Sequence, residues 1–208
     1  MLAFPSKATV GRPMPKEAFY KNLTLKNDIR ERFVSDIKRI VLEYKLAPDT
    51  LNVEKGEEVV EILVLSIELK QKEIDYRIVE TIARQNAHKL IFLIKYQEET
   101  QLSLYYKKLY KSDWMSIQDV TLDVRGLNLD SIWSSFVEQI AVRQDIKITH
   151  ENIDVSKILE QQEKVLKLQK EVDKLEKASR NERQPKKRFE LYTKLQELKK
   201  MLEKEKGD

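Results

Sequence analysis

The chain has 208 residues, with 39 basic and 35 acidic side chains, two histidines, no cysteine and a formal net charge of +4. Its length suits one domain of about 150 residues plus an appendage, or two small domains. The absence of cysteine excludes a disulfide framework and thiolate chemistry, and no run of about 18 apolar residues offers a membrane-spanning helix. Charged residues make up 36% of the chain, against roughly 25% in an average globular protein, which points to a long solvated helical segment. The N-terminal residues lack the apolar run of a secretory signal, so a cytoplasmic protein is expected.

In residues 1–26, Pro5, Gly11, Pro13 and Pro15 discourage regular structure. Lys7, Arg12, Lys16, Lys21 and Lys26 outnumber the single acid Glu17, and Phe19 and Tyr20 lie among them. The expectation is an extended basic arm that packs on the body through these two aromatics, with a free basic tail as the alternative.

Residues 27–150 read as a mixed α/β domain. Ile29, Phe33, Ile37, Ile40 and Tyr44 recur three and four apart, which predicts an amphipathic helix. Asn27 or Asp28 can cap it, and Pro48 stops it. Val, Ile and Leu then fill most of positions 59–69, the pattern of a strand buried on both faces. Ile74, Ile78 and Ile82 share one helical face. Residues 89–96 form a second apolar strand, and the polar turn Gln97–Thr100 joins it to QLSLYYKKLY as a hairpin. Trp114–Val124 alternates weakly and suggests a further strand, and Ile132, Phe136 and Ile140 mark a last helix. The strand–helix–strand piece over 57–96 favours a parallel pair and the later strands antiparallel neighbours. The predicted body is a small mixed α/β sandwich.

Residues 151–208 differ in kind. Ile158, Val165 and Val172 lie seven apart, with Leu168 and Leu175 at the complementary heptad position. Leu191, Leu195, Leu198 and Leu202 continue with spacings of four, three and four. Pro185 interrupts between the two runs, so an antiparallel coiled-coil hairpin is expected, with two stacked coiled-coil pieces as the alternative. Its joint is basic: Arg180, Arg183, Lys186, Lys187 and Arg188 surround the single acid Glu182.

Few residues suggest chemistry. The only histidines, His88 and His150, are far apart, and a zinc site without cysteine would need mostly carboxylate ligands. The four glycines are isolated, so no phosphate-binding loop can be drawn. No metal ligand set and no cofactor is assigned. The sharpest catalytic candidate is Asp49 after Pro48, followed by Glu68 and Lys70 at the end of an apolar strand. This pattern resembles the PD-(D/E)xK nucleases, in which carboxylates hold a divalent metal and a lysine helps activate water. Acid-x-Lys triplets also arise by chance in a chain this rich in both. Lys16 and the basic joint (Arg180, Arg183, Lys186, Lys187, Arg188) are candidates for nucleic-acid phosphates, although a solvated hairpin tip is polar in any case. Candidate partner-binding residues are Phe19 and Tyr20 of the arm and Val165, Leu168, Val172, Leu175, Leu195, Leu198 and Leu202 of the coil, whose seam is buried within the hairpin or against a second chain.

Three stretches carry a resemblance. Pro15, Lys16, Phe19 and Tyr20, then Lys45, Leu46, Pro48, Thr50, Leu51 and Asn52, then the run from Glu182 to Leu191, resemble the bacterial family called domain of unknown function 4391. Pro185 stands where the family usually has an aromatic, and Thr193 near a common asparagine. The resemblance implies no catalytic motif and a variable residue at the position of Asp49. It implies an accessory part of restriction-like or phage-defence gene clusters, beside helicases and DNA methyltransferases. The leading expectation is therefore a non-enzymatic interaction subunit that docks DNA-acting partners, or its own copy, through the body and the coiled coil. A small metal-dependent nuclease and a DNA-binding module are the alternatives.

Overall fold

A computed structural model describes residues 2–142 and 154–206, without the side chains of Tyr20 and Lys21. The chain forms two compact units, Met1–Ala141 and Val142–Asp208. The first is a mixed α/β body and the second a helical hairpin.

The body opens with strand β1 (Thr9–Met14), helix α1 (Lys16–Asn22), helix α2 (Asn27–Asp36) and strand β2 (Ile37–Leu46). A single turn of helix, α3 (Pro48–Leu51), leads through a loop to β3 (Ile62–Leu69), α4 (Tyr76–Gln85) and β4 (Lys89–Tyr96). Strands β5 (Glu99–Tyr106), β6 (Lys108–Lys111) and β7 (Met115–Ser116) follow, then helix α5 (Leu129–Ala141). The sheet runs β1-β2-β3-β4-β5-β6, with β7 on β5. β3 and β4 are parallel, joined by the α4 crossover, and the other neighbours are antiparallel. Both edges resist further pairing: β1 is broken by Gly11 at φ 62° and by Pro13, and β6 is four residues long with lysine at each end.

The predicted arm is thus part of the sheet. β1 pairs with β2, and Phe19 of α1 is buried with its ring 5.8 Å from that of Phe33.

The predicted helix from residue 27 ends at Asp36, and its second half is β2. Ile29, Phe33, Ile37, Ile40 and Tyr44 are all buried, as the spacing required. Two irregularities in the β2–β3 register, between Ile37 and Arg39 and between Leu42 and Tyr44, stretch the strand's two-residue period to three and four. Bulged strand and helix therefore look alike in the sequence. The pairing also separates the stripe. Ile40 sits opposite Ile67, and Leu42 opposite Leu65, whereas Tyr44 sits opposite Val64 and so points to the other face.

One face of the sheet packs on α2 and α4. Phe33, Ile37, Ile40, Ile67, Ile78, Ile82, Phe92 and Ile94 form its core. The other face carries Tyr44 and reaches α5 through Phe4, whose ring lies 5.1 Å from Tyr44 and 6.1 Å from Phe136. Ile132, Trp133, Phe136 and Ile140 are the buried stripe of α5.

Two further expectations change. The expected hairpin forms between β4 and β5, but QLSLYYKKLY is not one strand: the chain reverses again at Lys107, which takes φ 61° without any of the usual turn residues. Trp114–Val124 is mostly loop, with β7 as its only strand among the described residues.

The hairpin consists of α6 (Val155–Asn181) and α7 (Pro185–Lys206). Asp154 caps α6 by accepting from the Ser156 amide at 3.0 Å. Pro185 opens α7, where its missing N–H costs nothing, and the Glu182 side chain accepts from the Gln184 amide at 2.9 Å in the joint.

Candidate functional site

The nuclease triad does not converge. Asp49 lies in α3, beyond the Leu46–Ile62 end of the β2–β3 pair, and Glu68 lies at the other end opposite Arg39. At about 3.3 Å per residue, the stretch from Ile62 to Glu68 separates the two by roughly 20 Å. Glu68 accepts from Lys38 at 2.7 Å and faces Arg39 at 3.2 Å, and these cations, Lys38 first, hold its carboxyl below the usual range. Lys70 lies past β3 and donates to the Val34 carbonyl at 2.9 Å. Among the described residues no group of three or more acidic or histidine side chains is placed to hold a metal ion. His88 stands 3.7 Å from Glu61, and His150 lies outside the described residues.

Lys16 is engaged in the fold. Its ammonium donates to the Ile37 carbonyl, and burial, followed by repulsion from Lys70, lowers its pKa. Phe19 is in the core, and the side chain of Tyr20 lies outside what the structure describes.

The body holds one polar cluster that the sequence reading missed. Glu43 and Lys95 pair at 2.9 Å beside buried Ser66 and Thr100. The Thr100 hydroxyl has no hydrogen-bond partner among the described residues, and a cavity of about 50 Å³ opens beside it, between Leu2, Glu43, Lys95 and Val120. That space suits a water molecule, whose share of liquid volume is about 30 Å³, rather than a substrate.

The coil seam closes on itself. Val165, Val172, Leu195 and Leu202 are buried between α6 and α7, and Leu168, Leu175 and Leu198 pack against them. Gln161, at the position that spoils the first heptad, donates to the Glu205 carbonyl at 2.9 Å. The seam residues named as partner candidates therefore have partners inside the hairpin.

The joint is different. The heptad series Ile158, Val165, Val172 ends at Ser179, whose side chain is too small to fill the space between the helices. A groove of about 510 Å³ opens there. Ser179 and Leu195 line it beside the rings of Phe189 and Tyr192. Arg180, Arg183, Arg188 and Lys199 line it too, with Glu176 as the only acid among the described residues. Glu176 stands 3.4 Å from both Arg180 and Lys199. Phe189 is 71% exposed and Tyr192 52%. Lys186 and Lys187 are exposed beside the groove without lining it. The sequence flagged the cations, and the signal for the concavity was serine at a heptad core position.

A family model described as "Domain of unknown function (DUF4391)" matches residues 2–202. No curated protein and no solved structure matches the chain significantly. No helix among the described residues is long and apolar enough to cross a membrane.

Proposed function

Since the chain belongs to the DUF4391 family, whose description names no activity, we propose from its residues that it is a non-enzymatic accessory subunit of a DNA-acting assembly. One observation carries the reading: the hairpin tip offers an open, cationic, aromatic-walled contact surface. In the body, Glu68 pairs with Lys38 and Arg39, Glu43 pairs with Lys95, and His88 stands 3.7 Å from Glu61. The family resemblance favours a bacterial restriction-like or phage-defence setting, with a helicase or DNA methyltransferase as partner. Affinity purification of the tagged chain from its own host, with and without nuclease treatment, tests this. A helicase or methyltransferase retained after nuclease treatment is the expected result. Recovery of the chain alone overturns it.

A further inference from the structure

The tip groove also indicates what it takes; this step rests on the reading of the tip as a contact surface. Among the described residues four cations line it against one carboxylate, a strong bias toward an anion. Arg180 and Lys199 share Glu176, whereas Arg183 and Arg188 have no carboxylate within ion-pairing distance among the described residues. A guanidinium without a carboxylate retains its planar fork of donors for phosphate oxygens. Phe189 and Tyr192 are three residues apart on α7, so their rings share one helical face. Both remain largely exposed although buried Leu195 lies beside them. A simple anion has no use for two ring faces, and an apolar ligand has none for the guanidinium groups. A phosphopeptide accounts for the arginines and leaves the second ring idle. A nucleotide uses all of these groups. In a duplex the bases stack on one another, so only an unpaired base can reach a ring. The groove volume falls within the range of about 300–1,000 Å³ typical of small-ligand sites, which limits occupancy to a short segment.

We propose that the hairpin tip binds single-stranded nucleic acid. Unpaired bases stack on Phe189 and Tyr192, and the backbone phosphates lie on Arg183 and Arg188.

Fluorescence anisotropy of the full chain with a labelled oligo(dT), and with the same strand in duplex form, tests this across a salt series. The single strand is expected to bind more tightly than the duplex. Phe189→Ala and Tyr192→Ala are each expected to weaken binding about tenfold. Replacing Arg183 and Arg188 by Gln is expected to flatten the slope of log affinity against log salt by about 1.4, as removal of two phosphate contacts to a single strand requires. Lys170→Gln, a charge removed from the exposed side of α6 outside the groove, is the control for non-specific attraction. All the altered side chains are exposed, and unchanged far-ultraviolet circular dichroism confirms folding. Equal affinity for duplex, ring variants that bind like wild type, tighter binding of a phosphotyrosine peptide, or no binding at low salt each overturns the proposal. None of these results touches retention of a protein partner after nuclease treatment, so the accessory-subunit reading stands or falls separately.

Discussion

Gly56 passes so close to Asp130 that a Cβ on the glycine would lie 2.4 Å from the Asp130 Oδ1. The loop before β3 wraps around this carboxylate, which accepts from the amides of Glu57 at 2.7 Å, Val59 at 2.8 Å and Glu58 at 3.3 Å. A methyl group at residue 56 must push the loop off its anchor. Gly56→Ala is expected to cost about 1–3 kcal/mol, read as a lowered denaturation midpoint with an unchanged m-value. A midpoint equal to wild type would show that the loop adjusts freely.

The same carboxylate carries a pH signature. Burial pushes Asp130 up, but the amides of Val59, Glu57 and Glu58 together hold it below its ordinary value of 3.8. The unfolded chain therefore takes up a proton at a higher pH than the folded protein does. The stabilisation is complete above the ordinary value and is lost as the pH falls through the lower folded value. Asp130→Asn is expected to cost about 2 kcal/mol at pH 7. Its gap to wild type should narrow below about pH 4 in parallel chemical denaturations. A gap independent of pH would mean that the charge contributes nothing.

Glu43 and Lys95 depend on each other. Burial raises the Glu43 carboxyl, yet hydrogen bonds from Ser66 and then Lys95 bring it below the ordinary range. Lys95→Met leaves that carboxylate half-buried without its cation and is expected to cost about 2 kcal/mol. Adding Glu43→Gln should recover much of the loss, giving a coupling energy in a double-mutant cycle. Additive effects would indicate that the pair is incidental.

Ser179 controls the tip. Ser179→Leu restores the heptad and buries a leucine beside Leu195, with an expected gain of about 1–2 kcal/mol in hairpin stability. It also fills the groove. Thermal unfolding followed by helical circular dichroism should move upward, while affinity for any groove ligand falls. A destabilised hairpin would mean that the helices cannot close around a larger side chain.

Much of the fold was legible in the sequence. β3, α4, β4 and α5 follow from apolar runs with a single period, and the parallel β3–β4 pair follows from the helix between them. β2 was hidden because its bulges copy helical spacing, and β6 because Lys107 turns the chain without Gly, Asn, Asp or Pro. β1 was hidden because Gly11 and Pro13, which blunt a sheet edge, also read as breakers of structure. At the candidate sites, residue types were legible and distances were not. Asp49 and Glu68 match a motif whose members here sit at opposite strand ends. The cations of the tip were visible, but the groove depended on what a single small side chain leaves empty.

The order of the sheet has a kinetic consequence. From β1 to β6 every strand lies beside its neighbour in the sequence, with no strand inserted between them later. Each new strand can therefore join an edge that already exists, and the longest connection is the α1–α2 segment between β1 and β2. Topologies of such local pairing fold quickly. During synthesis the growing edge is the most recently added strand, the other edge being the blunted β1, and β6 and β7 complete the sheet before α5 emerges. The body is thus able to finish its sheet before the ribosome has made the hairpin.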